Sequence, residues 1–173
     1  MAVLSATHPF RLLADTGSEP VLPGTAVLRM ETTARRTGTF DGAWWPRTRD
    51  LKSQLSSVLT ALTARLGPIA RMGLDASDWD GAPGHLFVDG HMVRIDRSAV
   101  GDHTMIVTRG DQDHFLFLVI PSGAGIGPAH DAMVMAVRDD NDASAERILA
   151  ATGITRAGRS DVPQSSPGRA GPT

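Results

Sequence analysis

The chain has 173 residues, of which 41% are hydrophobic and 21% are charged, and its formal net charge is −2. These values are typical of a globular protein, and the length favours one domain with a sizeable core. The slight negative charge provides no basic surface and therefore disfavours nucleic-acid binding. The absence of cysteine excludes disulfides, zinc sites built on thiolates and a cysteine nucleophile.

The two terminal segments bear on location and domain organisation. Residues 1–15 contain no basic region followed by a long apolar run, so they do not predict a signal peptide. No apolar run approaches the roughly 20 residues that cross a bilayer. We therefore expect a cytoplasmic protein without membrane association. Residues 153–173 are rich in Pro, Gly, Ser and Arg without periodicity, which predicts a disordered tail after one α+β domain of residues 1–152.

The first elements in chain order are short strands. Residues 10–13 and 26–32 alternate between apolar and polar positions, which is typical of strands. Residues 39–45 are also expected to be extended, because Pro46 disfavours the helical conformation of the residue before it. Successive side chains of a strand point to opposite faces, so Trp44 and Trp45 are predicted on opposite sides of a sheet.

A helix is predicted over residues 51–66. Its apolar residues recur at helical spacing and form one stripe: Leu51, Leu55, Val58, Leu59, Leu62 and Leu66. Asp50 is predicted to cap its amino end, and Gly67 followed by Pro68 is predicted to end it.

Strands dominate the segment after this helix. Residues 69–74 form a predicted strand, and residues 85–95 a hairpin around Asp89-Gly90, which is a strong turn signal. Residues 103–120 predict a second hairpin, whose last strand is apolar on both faces and therefore central. Two short helices are expected at about 128–137 and 143–152. The predicted fold is α+β, with a mainly antiparallel sheet (hairpins 85–95 and 103–120) packed by a central helix 51–66 and two short C-terminal helices.

Two motifs imitate ligand sites without matching them. Residues 121–131, PSGAGIGPAHD, contain glycines at the spacing G-x-G-x-G, which is not the dinucleotide fingerprint, and their predicted strands form hairpins. We interpret this segment as a linker. The six histidines show no metal-binding spacing, so we expect neither a metal nor a cofactor.

The candidate functional site is the Trp/Arg corner, residues 44–50. Arg47 and Arg49 precede a helix amino end, where positive charge opposes the helix dipole, and breaks of local rules are enriched at functional sites. The arginines and helix amides could bind a phosphate, a carboxylate or an acidic group of a protein partner. Alternatively the corner is structural: a tryptophan fills the core and the arginines pair with Asp41, Asp50 or Asp80.

The corner also carries a resemblance. The stretch FDGAWWPRTRDL, followed by LDASDWD and VDGHMVRI, resembles an actinobacterial family of domains of unknown function with a G-A-W-W-P-R-S/T-R-D-L signature. Thr48 stands where that signature usually has serine. The resemblance implies a bacterial cytoplasmic protein and supplies no activity. It directs attention to six candidate residues: Trp44, Trp45, Arg47, Arg49, Asp50 and Trp79.

Three functions are weighed on these grounds. The first is a binding or regulatory module that uses a protein partner or a small anionic ligand at the Trp/Arg corner. The second is an enzyme with a cleft near the same corner that uses Asp41, Asp50 or a histidine. RNA binding, which needs exposed aromatic and basic side chains together, is disfavoured by the acidity of the chain. The position of both guanidinium groups relative to a pocket distinguishes a ligand site from a structural role.

Overall fold

The structure of the protein, a computed structural model, describes residues 10–12, 22–28, 38–97 and 101–154. These residues form one sheet and three α-helices. The strands are β1 (Phe10–Leu12), β2 (Ala26–Leu28), β3 (Gly42–Trp44), β4 (Ile69–Leu74), β5 (His85–Val88), β6 (His91–Asp96), β7 (Thr104–Arg109) and β8 (Asp113–Val119). The helices are α1 (Leu51–Leu66), α2 (Ile126–Ala136) and α3 (Ala145–Ala151), and a short 3-10 turn covers Ala76–Asp78.

The sheet is mixed, which corrects the prediction of a mainly antiparallel sheet. Its described strands follow the order β1-β2-β3-β8-β7-β4-β6-β5. The pairs β1·β2, β3·β8 and β4·β6 are parallel, whereas the other neighbours are antiparallel. The prediction failed because an antiparallel hairpin can be recognised in the sequence from its short turn. Parallel neighbours are joined through long connections that leave no local pattern.

Both predicted hairpins are confirmed. Strands β5 and β6 pair from His85↔Arg94 to Val88↔His91, and Asp89 and Gly90 both have positive φ angles, 49° and 78°. Two consecutive positive φ values match the twist of a two-residue hairpin turn. Strands β7 and β8 form the second hairpin, and β8 lies inside the sheet between β7 and β3.

Helix α1 has the predicted bounds. It ends at Gly67, whose φ of 85° suits glycine and whose N–H donates to the carbonyl of Thr63. Asp50 occupies the predicted N-cap position, but its side chain makes no capping hydrogen bond. The segment is held instead by backbone contacts, because the N–H of Asp80 donates to the carbonyl of Arg49 at 2.8 Å.

The sheet separates two apolar clusters. The first cluster contains the buried stripe of α1 with Trp44, Met72, Val107 and Phe117. The second contains Trp45 and Leu118 with the buried residues of α2 and α3. Successive side chains of β8 point alternately into the two clusters, as predicted for a strand that is apolar on both faces.

The carboxyl-terminal part of the described chain extends the second cluster. Ser144 caps α3, since its hydroxyl accepts a hydrogen bond from the N–H of Arg147. Ile154 is buried in the second cluster, so the core reaches beyond residue 152. Residues 155–173 of the predicted tail lie outside the described residues, and the division into one domain and a tail stays a prediction. No helix in the described ranges has the length and apolarity required to cross a membrane.

Candidate functional site

The two adjacent tryptophans lie on opposite sides of the sheet, as predicted. Each side chain is 1% exposed. Trp44 belongs to the cluster that contains Leu55, Leu59 and Leu62, so a tryptophan fills the core, as the structural alternative for the corner predicts. Trp45 belongs to the cluster under α2 and α3. Both tryptophans, proposed above as candidate binding residues, are therefore buried core residues.

Trp79 joins Trp44 in a stacked pair. The ring centroids are 5.4 Å apart and the planes differ by 12°. Trp79 follows the 3-10 turn Ala76–Asp78, whose start is capped by the carboxylate of Asp75 accepting from the N–H of Ser77 at 2.9 Å. The stack couples the loop before β5 to the end of β3, and Trp79 remains partly exposed.

Arg47 has a structural partner. Its Nε donates to the carbonyl oxygen of Pro23 at 2.9 Å, and its side chain packs so closely on Gly24 that a Cβ added there would collide with it. Its backbone N–H donates to Oε1 of Gln54 at 2.9 Å. Arg47 therefore joins the loop before β2 to the amino end of α1.

Arg49 behaves differently from Arg47. Its guanidinium lies 4.0 Å from the carboxylate of Asp80, and the Arg49 side chain is 60% exposed. It lines a cleft, which Arg47 and Asp50 do not. Of the two predicted arginines, the structure brings Arg49 alone to a cavity wall.

The cleft has a volume of about 590 Å³, within the range of small-molecule pockets. Its apolar lining comes from Trp44, Pro46, Leu74, Trp79, Val119, Ile120, Pro121, Ala124, Pro128 and Ile154. Its polar lining comes from Thr48, Arg49, Asp75, His103, Thr104 and Ser122, and Gly123, Gly125 and Gly153 complete the wall. A mostly apolar wall with a few polar groups suits a small organic molecule.

The topology explains why a cleft forms here. Strands β3 and β8 are parallel neighbours, with Trp44 paired to Val119 at their carboxyl ends. The chain leaves β3 toward α1 on one face of the sheet and leaves β8 toward α2 on the other. Divergence of two connections from adjacent parallel strands opens a crevice, the place where ligands bind in open α/β sheets.

The glycine-rich segment does more than link two elements. Its residues 121–125 form part of the cleft wall, and Gly125 is the N-cap of α2 without a side-chain capping bond. The interpretation as a plain linker rested on the absence of a parallel neighbour for the preceding strand. Because β8 does have one, the segment occupies the position of a ligand-binding loop, although it lacks the dinucleotide spacing.

Sequence reasoning missed several cleft residues, chiefly His103 and Asp75. His103 has a φ of 59°, a conformation uncommon for residues other than glycine and enriched among His, Asn and Asp. Its carbonyl accepts the N–H of Val119 at 2.7 Å, which fixes it beside the end of β8. No sequence pattern marked either residue, since they come from separate loops that only the sheet brings together.

Two further candidates lie elsewhere. The carboxylate of Asp41 accepts the N–H of Leu116 at 2.9 Å and is absent from the cleft lining. Within the described ranges, no three His, Asp or Glu side chains come close enough to hold a metal ion. The expectation that the protein uses no metal or cofactor stays a prediction.

Residues 27–136 match the Family of unknown function (DUF5994). The chain belongs to this family. Neither a curated protein nor a solved structure matches it.

The DUF5994 segment contains nearly the whole cleft. Of the lining residues, only Gly153 and Ile154 lie outside residues 27–136. The segment also includes the Trp/Arg corner that suggested a family of unknown function in the sequence. The match with DUF5994 therefore places the corner and the cleft in the same family unit, and it assigns no activity to them.

Proposed function

We propose that this DUF5994 protein is a binding module that takes a small organic anion with an apolar body into the cleft. The observation that carries the proposal is the exposed guanidinium of Arg49 on the wall of a cavity lined mostly by apolar side chains. An apolar body would meet the Trp44 and Trp79 side of the cleft, and the anionic group would meet Arg49 and the hydroxyl of Thr48.

The balance of charge in the cleft favours an anion. Its lining contains one arginine and one aspartate; Arg49 lies 4.0 Å from the Asp80 carboxylate, and the Asp75 carboxylate accepts the N–H of Ser77. Helix α2 begins at the cleft, since its N-cap Gly125 and its residue Pro128 line the wall, and its first turn has no acidic residue. The positive end of the α2 dipole adds to the field of Arg49 and favours negative charge.

A second function, an enzyme, has one observation in its favour. His103, Asp75 and Ser122 line the same cleft, and imidazole, carboxylate and hydroxyl groups are the usual components of acid–base and nucleophilic catalysis. We prefer the binding module to the enzyme because binding requires only the cavity and Arg49. We keep the cytoplasm as the proposed compartment, which suits a chain without cysteine.

Binding of the fluorescent probe 8-anilinonaphthalene-1-sulfonate tests the proposal, because this probe combines an aromatic body with one negative charge. Arg49→Gln should raise its dissociation constant by about tenfold, the loss expected when one charge-assisted hydrogen bond disappears. Arg47→Gln is the matched control: it lies in the same segment but outside the cleft, so it should lower the melting temperature and leave the affinity unchanged.

Two results would count against a ligand cleft. In one, both variants bind the probe as the unaltered chain does, which places the probe elsewhere. In the other, 1-anilinonaphthalene without the sulfonate binds as tightly as the anionic probe, which makes the cavity an apolar site without anion selectivity.

A further inference from the structure

The described helices cover only part of the second face of the sheet. Its buried cluster draws strand residues from β2, β3 and β8 and none from β4, β5 or β6. On the uncovered part, Phe87 of β5 is 69% exposed and Met92 of β6 is 54% exposed. The two residues are cross-strand partners, so they form one exposed apolar pair at the end of the sheet.

Strand β5 is the last described strand in the sheet order. The N–H of Ile95 donates to the carbonyl of Gly84 at 2.9 Å, which directs the backbone groups of Gly84 toward β6. Because this direction alternates along an antiparallel strand, the N–H and C=O groups of His85 and Phe87 point away from β6, toward the outer side of β5.

The sequence of β5 lacks the usual protection against strand pairing. Natural edge strands carry lysine, proline, inward-pointing charges or a bulge. The four residues His85–Val88, sequence HLFV, contain none of these, and their register with β6 is regular. An uncharged edge with outward backbone groups and an exposed aromatic ring is suited to accept another strand.

We propose that β5 pairs antiparallel with β5 of a second copy of this chain across a two-fold axis. Antiparallel pairing of identical strands is two-fold symmetric, so each copy offers the donors and acceptors that the other needs. With Leu86 on the axis, His85 of each copy faces Phe87 of the other. Both residues direct their backbone groups outward, so this register uses all of the backbone groups of β5 that point away from β6.

The side chains of β5 also favour pairing with β5 of a second copy. Within one chain the His85 ring already meets the Phe87 ring edge-on, with centroids 5.8 Å apart and planes at 88°. The proposed register gives each Phe87 ring a second His85 neighbour across the axis, an aromatic cross-strand pair that stabilises sheets. Arg94 lies opposite His85 and Asp89 follows β5, so antiparallel pairing brings the basic end of one copy toward the acidic end of the other.

Sedimentation equilibrium of the full chain over a wide micromolar range tests this proposal. The unaltered chain should shift from monomer to dimer as its concentration rises. Phe87→Lys, at an exposed position, should keep the melting temperature and raise the dimer dissociation constant by at least about tenfold, since an edge lysine opposes strand pairing. Ile126→Lys, an exposed apolar residue on α2, is the control and should leave the dissociation constant unchanged.

Met92→Lys distinguishes two modes of dimerisation: pairing of the β5 edges, and packing of the exposed Phe87 and Met92 side chains of one copy against those of the other. Edge pairing predicts a smaller effect for Met92→Lys than for Phe87→Lys, because β6 is one strand away from the axis. Equal effects would mean that the faces meet and would overturn the proposal, and a chain that remains monomeric at every concentration would also overturn it. Hydrogen exchange at the Phe87 amide should slow as dimer forms, and an unchanged rate in the dimer would exclude this pairing.

Discussion

The two apolar clusters differ in what their tryptophans contact. In the first cluster Trp44 packs with α1 and stacks on Trp79, at the wall of the cleft. In the second, Trp45 lies under α2 and α3, and its indole Nε1 is buried without a hydrogen-bond partner within the described chain. Trp44, the last residue of β3, and Trp45, which follows it, therefore have different roles: Trp44 lies between the core and the cavity, and Trp45 only fills space.

Among the variants proposed here, replacement of either tryptophan should change the free energy of unfolding most. Trp44→Ala and Trp45→Ala should each lower the free energy of unfolding by about 3–5 kcal/mol, the usual cost of truncating a buried large aromatic residue. The conservative variants should differ. Trp44→Phe weakens the stack on Trp79, whereas Trp45→Phe removes an unsatisfied N–H whose burial is costly.

Urea denaturation of the four variants measures these differences. Trp44→Phe should cost more than Trp45→Phe. The reverse order would show that the indole N–H of Trp45 is satisfied in solution and that the stack contributes little.

Gly42 offers a smaller test of how closely β3 packs against the first cluster. A Cβ at this position would lie 2.6 Å from Cε1 of Phe117 and 2.9 Å from the carbonyl oxygen of Val27. Gly42→Ala should therefore lower the free energy of unfolding by about 1–3 kcal/mol, as overpacking does. The control is Gly127→Ala on α2, where nothing lies within 4 Å of the added carbon; this change should be neutral or stabilising. Similar unfolding free energies for the two variants would mean that β3 shifts at little cost.

The smallest expected effect concerns the turn between α2 and α3, which covers the second cluster. The pKa of Asp140 is lowered by its hydrogen bond with Arg138 and then by the charge of that guanidinium. A carboxyl with a lowered pKa stabilises the fold above its unfolded pKa, and this contribution disappears as the pH falls through the folded pKa. Both groups are exposed, so the effect on stability should be near the limit of measurement.

Titration of Asp140 by NMR gives the direct readout for this pair. Arg138→Gln should raise the Asp140 pKa toward its ordinary value, whereas Arg147→Gln on α3 should leave it unchanged. An Asp140 pKa that does not respond to Arg138→Gln would show that the pair is not formed in solution.

Local elements were predictable because their signals are short. The stripe from Leu51 to Leu66 defines α1 through helical spacing, and Asp89-Gly90 defines a hairpin through two positive φ angles. Alternation alone placed Trp44 and Trp45 on opposite faces. The N-cap position of Asp50 was predicted as well, but its side chain makes no capping bond, and a backbone bridge to Asp80 holds the segment.

The cleft could not be predicted, because it is formed by contacts between segments that are far apart in the sequence. The sequence by itself determined the helical stripe, the two hairpins and a corner rich in Trp and Arg, because each depends on residues close together in the chain. Only the tertiary structure decided that β3 lies parallel to β8, and this pairing brings Arg49, His103 and the glycine-rich segment to one cavity. It also decided that Arg47 binds a loop carbonyl while Arg49 faces the cavity. The physical reason is that a parallel pairing joins distant segments through their backbones, whose hydrogen-bonding groups are the same in every residue except proline.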